Sequence, residues 1–175
     1  MKLRHFSLLA ALVPLVSLVG CGGTEVVERR FDNGKLQVRY HIRIDENGDT
    51  LKHGKHTTWH RNGNVFAEVS FRNDKQHGPS AFYYEDGTTW FTCRYRDGKR
   101  DGEYVEYHPN GSVFARRTYE NGTKQGEHRE WYKDGSHSYR CFFYYVEKDG
   151  EAIRRHPNGN MAFRGTYRAG KKHGT

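Results

Sequence analysis

Residues 110–135 read "NGSVFARRTYENGTKQGEHREWYKDG". A run of alternating apolar and polar residues follows the first Asn-Gly. Next come a glycine-rich turn at "ENGTKQG", a shorter strand "EHREWY" and a closing Asp-Gly turn. Alternation with period two marks strands, and Asn-Gly or Asp-Gly supplies the positive φ that tight hairpin turns require. The stretch therefore predicts one β-hairpin.

The hairpin repeats. Gly63, Gly87, Gly111, Gly135 and Gly159, the first series, are each 24 residues apart, and Gly54, Gly78, Gly102, Gly126, Gly150 and Gly174, the second series, keep the same period. Both series are expected in turns, and a period of this length marks a repeat array. The first-series turns read "HRNG", "YEDG", "HPNG", "YKDG" and "HPNG", so a superperiod of 48 lies over the period of 24. Duplication of a two-hairpin unit explains it.

Along the long strands, positions two, four, six and eight after the first-series glycine share a face. They are mostly apolar, as in Val65, Ala67, Val69, Phe71 and in Thr89, Phe91, Cys93, Tyr95. Arg116, Arg140 and Arg164 lie on the opposite face. The short strands carry Trp59, Tyr83, Tyr107 and Trp131, expected to stack into an aromatic ladder that offers a binding surface. Equivalent residues two units apart are separated by four strand spacings, roughly 19 Å. His60, His108 and His156 therefore cannot share a metal whose ligands lie about 2 Å from it. Cys93 and Cys141 cannot form a disulfide with each other, since bridged Cα atoms lie within about 7 Å. No metal, no cofactor and no catalytic constellation is expected.

Hydrophobic residues make up only 34% of the chain, which taken alone would suit a disordered protein, but 12 Tyr, 10 Phe and 3 Trp argue for a folded, aromatic-lined one. The net charge of +8 becomes +6 without Lys2 and Arg4. Lys52, Lys75, Lys99, Lys124, Lys148, Lys171 and Lys172 fall at the second-series turns and are expected along one edge of the sheet, one turn about every 10 Å. Such a row suits anionic lipid or an acidic partner, or it serves only solubility.

The first residues differ in kind. Lys2 and Arg4 precede the apolar segment Phe6–Gly20, which is short for a membrane span of roughly 20 residues and reads as a secretion signal. "LVGC" at 18–21 resembles the bacterial lipobox, which implies lipid on Cys21, a signal peptide over 1–20 and a flexible tether over 21–30. Gly22, where an Asp would signal inner-membrane retention, implies the outer membrane. Export disfavours nucleic acid as a partner.

From residue 31 to 175 the recurring Tyr or Phe, Asn-Gly or Asp-Gly-Lys, Gly, four residues and an aromatic resembles the variant class of MORN repeats. The resemblance implies an all-β fold, an elongated single-layer antiparallel meander of about eleven strands with no helical domain beyond the signal segment. It also implies a non-catalytic binding or scaffold module. The expected partner is an envelope protein, with anionic lipid or wall polysaccharide behind it. Many bacterial chains of the class are labelled antitoxins, so the alternative is a cytosolic antitoxin-like protein that neutralises a partner by binding.

Overall fold

A computed structural model describes residues 15–20 and 24–174. Cys21 and most of the expected signal peptide lie outside the described residues. Among the described residues the chain is all β, in one open sheet of sixteen antiparallel strands taken in sequence order. They are β1 Leu15–Gly20, β2 Thr24–Arg30, β3 Leu36–Ile44, β4 Thr50–Trp59, β5 Val65–Arg72, β6 Lys75–Tyr83, β7 Thr89–Arg96 and β8 Lys99–Arg100. There follow β9 Gly102–Tyr107, β10 Val113–Glu120, β11 Thr123–Trp131, β12 His137–Tyr144, β13 Glu147–Lys148, β14 Gly150–Arg155, β15 Met161–Arg168 and β16 Lys171–Lys172.

The count exceeds the expected eleven for two reasons. The short pieces β8 and β13 are cut from β9 and β14 by Asp101 and Asp149, whose amides donate instead to Arg94 O and Phe142 O at 2.9 and 3.0 Å. At the other end, Thr24–Arg30 is a strand of the sheet and not a tether. Its Glu25, Val27 and Arg29 pair with Ile42, Tyr40 and Val38, and Val27 is buried. The turn Phe31–Lys35 that joins β2 to β3 is bonded like every first-series turn, with Gly34 N donating to Phe31 O at 3.0 Å. The hairpin pattern thus starts one strand earlier than the glycine period shows, because an insertion around Asp45–Asp49 displaces it.

The two glycine series do different work. In each first-series turn the glycine amide donates to the carbonyl three residues back, as Gly111 N does to His108 O at 2.8 Å, and the glycine has positive φ. This is a type I turn closed by a left-handed residue. The Asn or Asp before the glycine accepts the amide two residues on, as Asp86 Oδ1 does from Thr88 N at 2.8 Å.

The second series is not in turns. The chain reverses four residues earlier, at Asn73-Asp74, Asp97-Gly98, Asn121-Gly122, Tyr145-Val146 and Ala169-Gly170, each with two successive positive φ values as a two-residue hairpin turn demands. Gly78 and Gly126 lie at bulges inside β6 and β11. Between Val69↔Ser80 and Phe71↔Gln76, β5 advances two residues while β6 advances four, and β10 and β11 repeat the slip. The glycines have positive φ and sit opposite aromatics of the next strand, in the pairs Gly54↔Phe71, Gly78↔Tyr95, Gly102↔Tyr119, Gly126↔Phe143 and Gly150↔Tyr167. The positive φ is what restricts these positions to glycine.

Cross-strand partners share a face, so the register separates two faces. One carries most of the buried residues, including Ala67, Val69, Phe91, Cys93, Tyr104, Ala115, Tyr119, Cys141 and Ala152. Without a second layer, rings laid along the sheet supply the cover. Phe82, Phe91 and Tyr104 stack at 4.3 and 5.3 Å between centroids, and Tyr119 continues the row edge-on at 6.1 Å. Cys93 and Cys141 are free, buried thiols on this face, and burial pushes both above the usual thiol range.

Candidate functional site

The edge formed by the first-series turns explains the recurring histidine. His60 Nε2 donates to Tyr83 O and His108 Nε2 to Trp131 O, both at 3.0 Å. In the alternate units Tyr84 and Tyr132 direct their hydroxyls to Tyr107 O and Arg155 O at 3.4 and 2.7 Å. A carbonyl only accepts, so each of these two imidazoles carries its proton on Nε2. The two side-chain types do one job, tying each turn to a main-chain carbonyl 23 residues on. The superperiod is an alternation of donors.

Those carbonyls belong to the positions expected to form the aromatic ladder. Trp59, Tyr83, Tyr107 and Trp131 do not stack on one another. A long strand intervenes between each pair, which separates them by two strand spacings, about 9.6 Å. Residues of that strand and of the turns fill the gap. Trp131 meets His137 at 5.4 Å, His108 meets Phe114 at 5.0 Å and Tyr84 meets Trp90 at 5.9 Å. The continuous ring contacts run instead through Phe66, Phe82, Phe91, Tyr104 and Tyr119.

The expected lysine edge also divides. Lys75, Lys99 and Lys171 flank the two-residue turns and are exposed. Lys52, Lys124, Lys148 and Lys172 instead reach over the aromatic face, with Nζ 5.5 Å from the Phe71 centroid, 5.3 Å from Phe143, 5.3 Å from Tyr167 and 5.2 Å from Phe163. Arg100 occupies the same column, 5.1 Å from Tyr104 and 5.5 Å from Tyr119. The column is two residues before each second-series glycine, and the alternation of the strand turns it onto the ring face. Each contact contributes about 0.5–1 kcal/mol where exposed. Arg100 was legible in the period; attention to lysine alone missed it.

Towards the C-terminal half the aromatic face becomes polar. Glu106 and Glu130 occupy the file that Phe82 and Phe91 hold earlier, paired as Phe91↔Glu106, Ala115↔Glu106 and Ala115↔Glu130. Arg117 Nη1 bonds Glu106 Oε2 at 2.8 Å with both side chains largely buried. His128 Nε2 donates to Glu130 Oε1 at 2.9 Å, and that bond holds the Glu130 carboxyl below its ordinary range against the opposing effect of burial. Burial, with the nearby Glu106 charge, pushes Tyr104 up to about 12. At the other end, burial and then Lys52 hold His56 below the usual imidazole range.

The opposite face is laced by exposed ion pairs. Arg116 bonds Glu103 at 3.1 Å, Arg129 bonds Glu127 at 2.7 Å, and Glu151 receives both Arg140, at 2.7 Å, and Arg164. Arg164 first and Arg140 after it hold the Glu151 carboxyl low.

This period, with a cation, a glycine and an aromatic at fixed offsets on consecutive hairpins, decides the comparison. The MORN repeat variant occurs three times. The matches cover residues 52–73, 100–121 and 148–169, each running from a ring-capping cation, Lys52, Arg100 or Lys148, to the next hairpin turn. They are 48 residues apart, so the superperiod selects alternate units. No curated protein sequence matches the chain. The MORN repeats point to a binding or scaffold module.

Proposed function

We propose that this chain is a non-catalytic binding or scaffold module of the bacterial envelope, held at a membrane, with the outer membrane favoured, by lipid on Cys21. The observation that carries the binding role is the file order of the sheet. The cations Lys52, Arg100, Lys124, Lys148 and Lys172 recur over rings of one face and Arg116, Arg140 and Arg164 recur on the other, the repeated surface by which repeat arrays engage extended partners. Support for the address comes from the basic, apolar, Leu-Val-Gly-Cys order of residues 2–21. Anchoring needs a second acyl chain or a basic patch beside the first, and Lys75, Lys99 and Lys171 offer the patch. An envelope protein or a wall polymer is the partner this reading favours.

One observation favours the cytosolic, antitoxin-like alternative. Leu15–Gly20 pairs with β2 through Leu15↔Glu28, Val16↔Val27 and Ser17↔Val26. A chain that keeps this strand is not cleaved before Cys21.

The binding role is tested by placing a photo-crosslinking amino acid at Arg94, Thr166 or Lys99 in intact cells. The module reading expects a discrete adduct of common mass from positions that share a face. Absence of any adduct from all three positions contradicts it.

A further inference from the structure

On the face opposite the aromatic row, three arginines stand directly across from one another on consecutive strands. Arg116 of β10 pairs with Arg129 of β11, and Arg129 pairs with Arg140 of β12. Facing side chains of an antiparallel pair have Cβ atoms about 4.5–5.5 Å apart, and like charges directly opposite destabilise the sheet. The file continues through Ile153 of β14 to Arg164 of β15. Three glutamates serve these four arginines. Each guanidinium has five N–H donors, so donors remain.

A groove runs along the file. Two shallow depressions, of about 570 and 280 Å3, meet at Arg129. Arg116 and Trp131 line the first together with Glu103 and Glu127, whereas Arg140, His137 and Arg155 line the second with no carboxylate among them. Trp131 and His137 form its aromatic wall, 5.4 Å between ring centroids. Trp131 thus stands beside a row of arginines, each paired with a glutamate but with guanidinium donors to spare.

We propose that this groove binds an acidic polysaccharide, its carboxylates taken by Arg116, Arg129 and Arg140 and a sugar ring laid on Trp131. The inference deepens the binding-module reading above and rests on it. Carboxylate is the anion these guanidinium groups already hold, and a planar fork matches it bidentately. A polymer fits better than a single acid because the cations repeat across the strands at about 4.8 Å. An aromatic wall beside them suits the apolar face of a sugar ring. The like-charge file is then a cost carried by the free sheet and relieved by the ligand.

The test uses the purified full chain and polygalacturonate in titration calorimetry, with dextran and polyphosphate as controls. Polygalacturonate should bind and weaken with added salt, dextran should not bind, and polyphosphate should bind more weakly. Arg129→Gln and Arg140→Gln should each weaken binding about tenfold or more, as loss of a charge-assisted pair does, and Trp131→Ala should weaken it too. A double Lys35→Gln, Lys55→Gln variant, which changes exposed lysines outside the groove, should bind as the parent does. Thermal unfolding gives a second readout, since Arg129→Gln should melt no lower than the parent if the file is strained, whereas a purely structural arginine would melt lower. The proposal is overturned by lack of polygalacturonate binding, by polyphosphate binding as tightly, by unaffected arginine variants, or by loss in the lysine variant. Cross-linked adducts in cells would still stand in those cases, so the broader reading fails separately.

Discussion

Replacing Tyr145-Val146 by Asn-Gly should stabilise the protein. The two residues form the turn between β12 and β13 with φ of 45° and 67°, where the corresponding turns use Asn-Asp, Asp-Gly, Asn-Gly and Ala-Gly. Left-handed backbone costs an L-residue roughly 1–2 kcal/mol, and a β-branched one is a genuine outlier there. The strain shows in the bond to the neighbouring hairpin. Val146 N lies 3.4 Å from Lys124 O, whereas Asp74, Gly98, Gly122 and Gly170 make the equivalent bond at 2.7–3.0 Å. Only the edge-on contact of the Tyr144 and Tyr145 rings, 4.7 Å between centroids, compensates at the tip, where Tyr144, Tyr145 and Val146 are 64, 64 and 61% exposed. Glycine returns about 0.5–1 kcal/mol of the gain through unfolded-chain entropy. The net is about 1–2 kcal/mol, or a Tm higher by about 2–8 °C for a domain of this size. Thermal unfolding followed by circular dichroism measures it, and hydrogen exchange at residue 146 should slow as the bond shortens. A variant that melts lower than the parent refutes the reasoning, because it means the tip is held by contacts instead of strained.

Other substitutions read other parts of the account. His108→Tyr should be tolerated, as tyrosine makes the same link at 84 and 132, while His108→Phe leaves Trp131 O unpaired and should cost about 1 kcal/mol in urea unfolding. Gly102→Val should cost more than about 1 kcal/mol, because φ is 105° at the first residue of β9; unchanged unfolding would remove that reading of the glycine. Burial, and then the Lys52 charge, hold the pKa of His56 in the folded protein below the ordinary imidazole value of 6.5. Stability from the neutral ring is therefore complete above 6.5 and lost as pH falls through the folded value, and a stability profile between pH 7 and 5 should flatten in His56→Gln.

The hairpins, their antiparallel order and the aromatic character of one face were legible because turn glycines and alternating strands leave a fixed period. Side-chain destinations were less legible. Gly78 and Gly126 repeat as faithfully as Gly87 and Gly135, yet they mark bulges, and a period alone does not distinguish two reasons for positive φ. Trp131 and Tyr107 share a column in the sequence, but the intervening β10 and its turn keep their rings apart. Lys75 and Lys124 both sit near two-residue turns, and a one-residue difference in offset sends one to solvent and the other over Phe143. Arg129 was hidden most completely: its facing partners, Arg116 and Arg140, appear only when the short and long strands are set in register, which the bulges shift.

The central claim, a binding module anchored in the envelope, is tested most directly by the intact mass of the mature N-terminus together with membrane fractionation, comparing the parent with Cys21→Ala. The account predicts an acylated Cys21 as the first residue of a membrane-bound chain, with both features lost in the variant. A soluble chain that retains Met1 and folds Leu15–Gly20 into its sheet would contradict it and make the cytosolic reading the leading one.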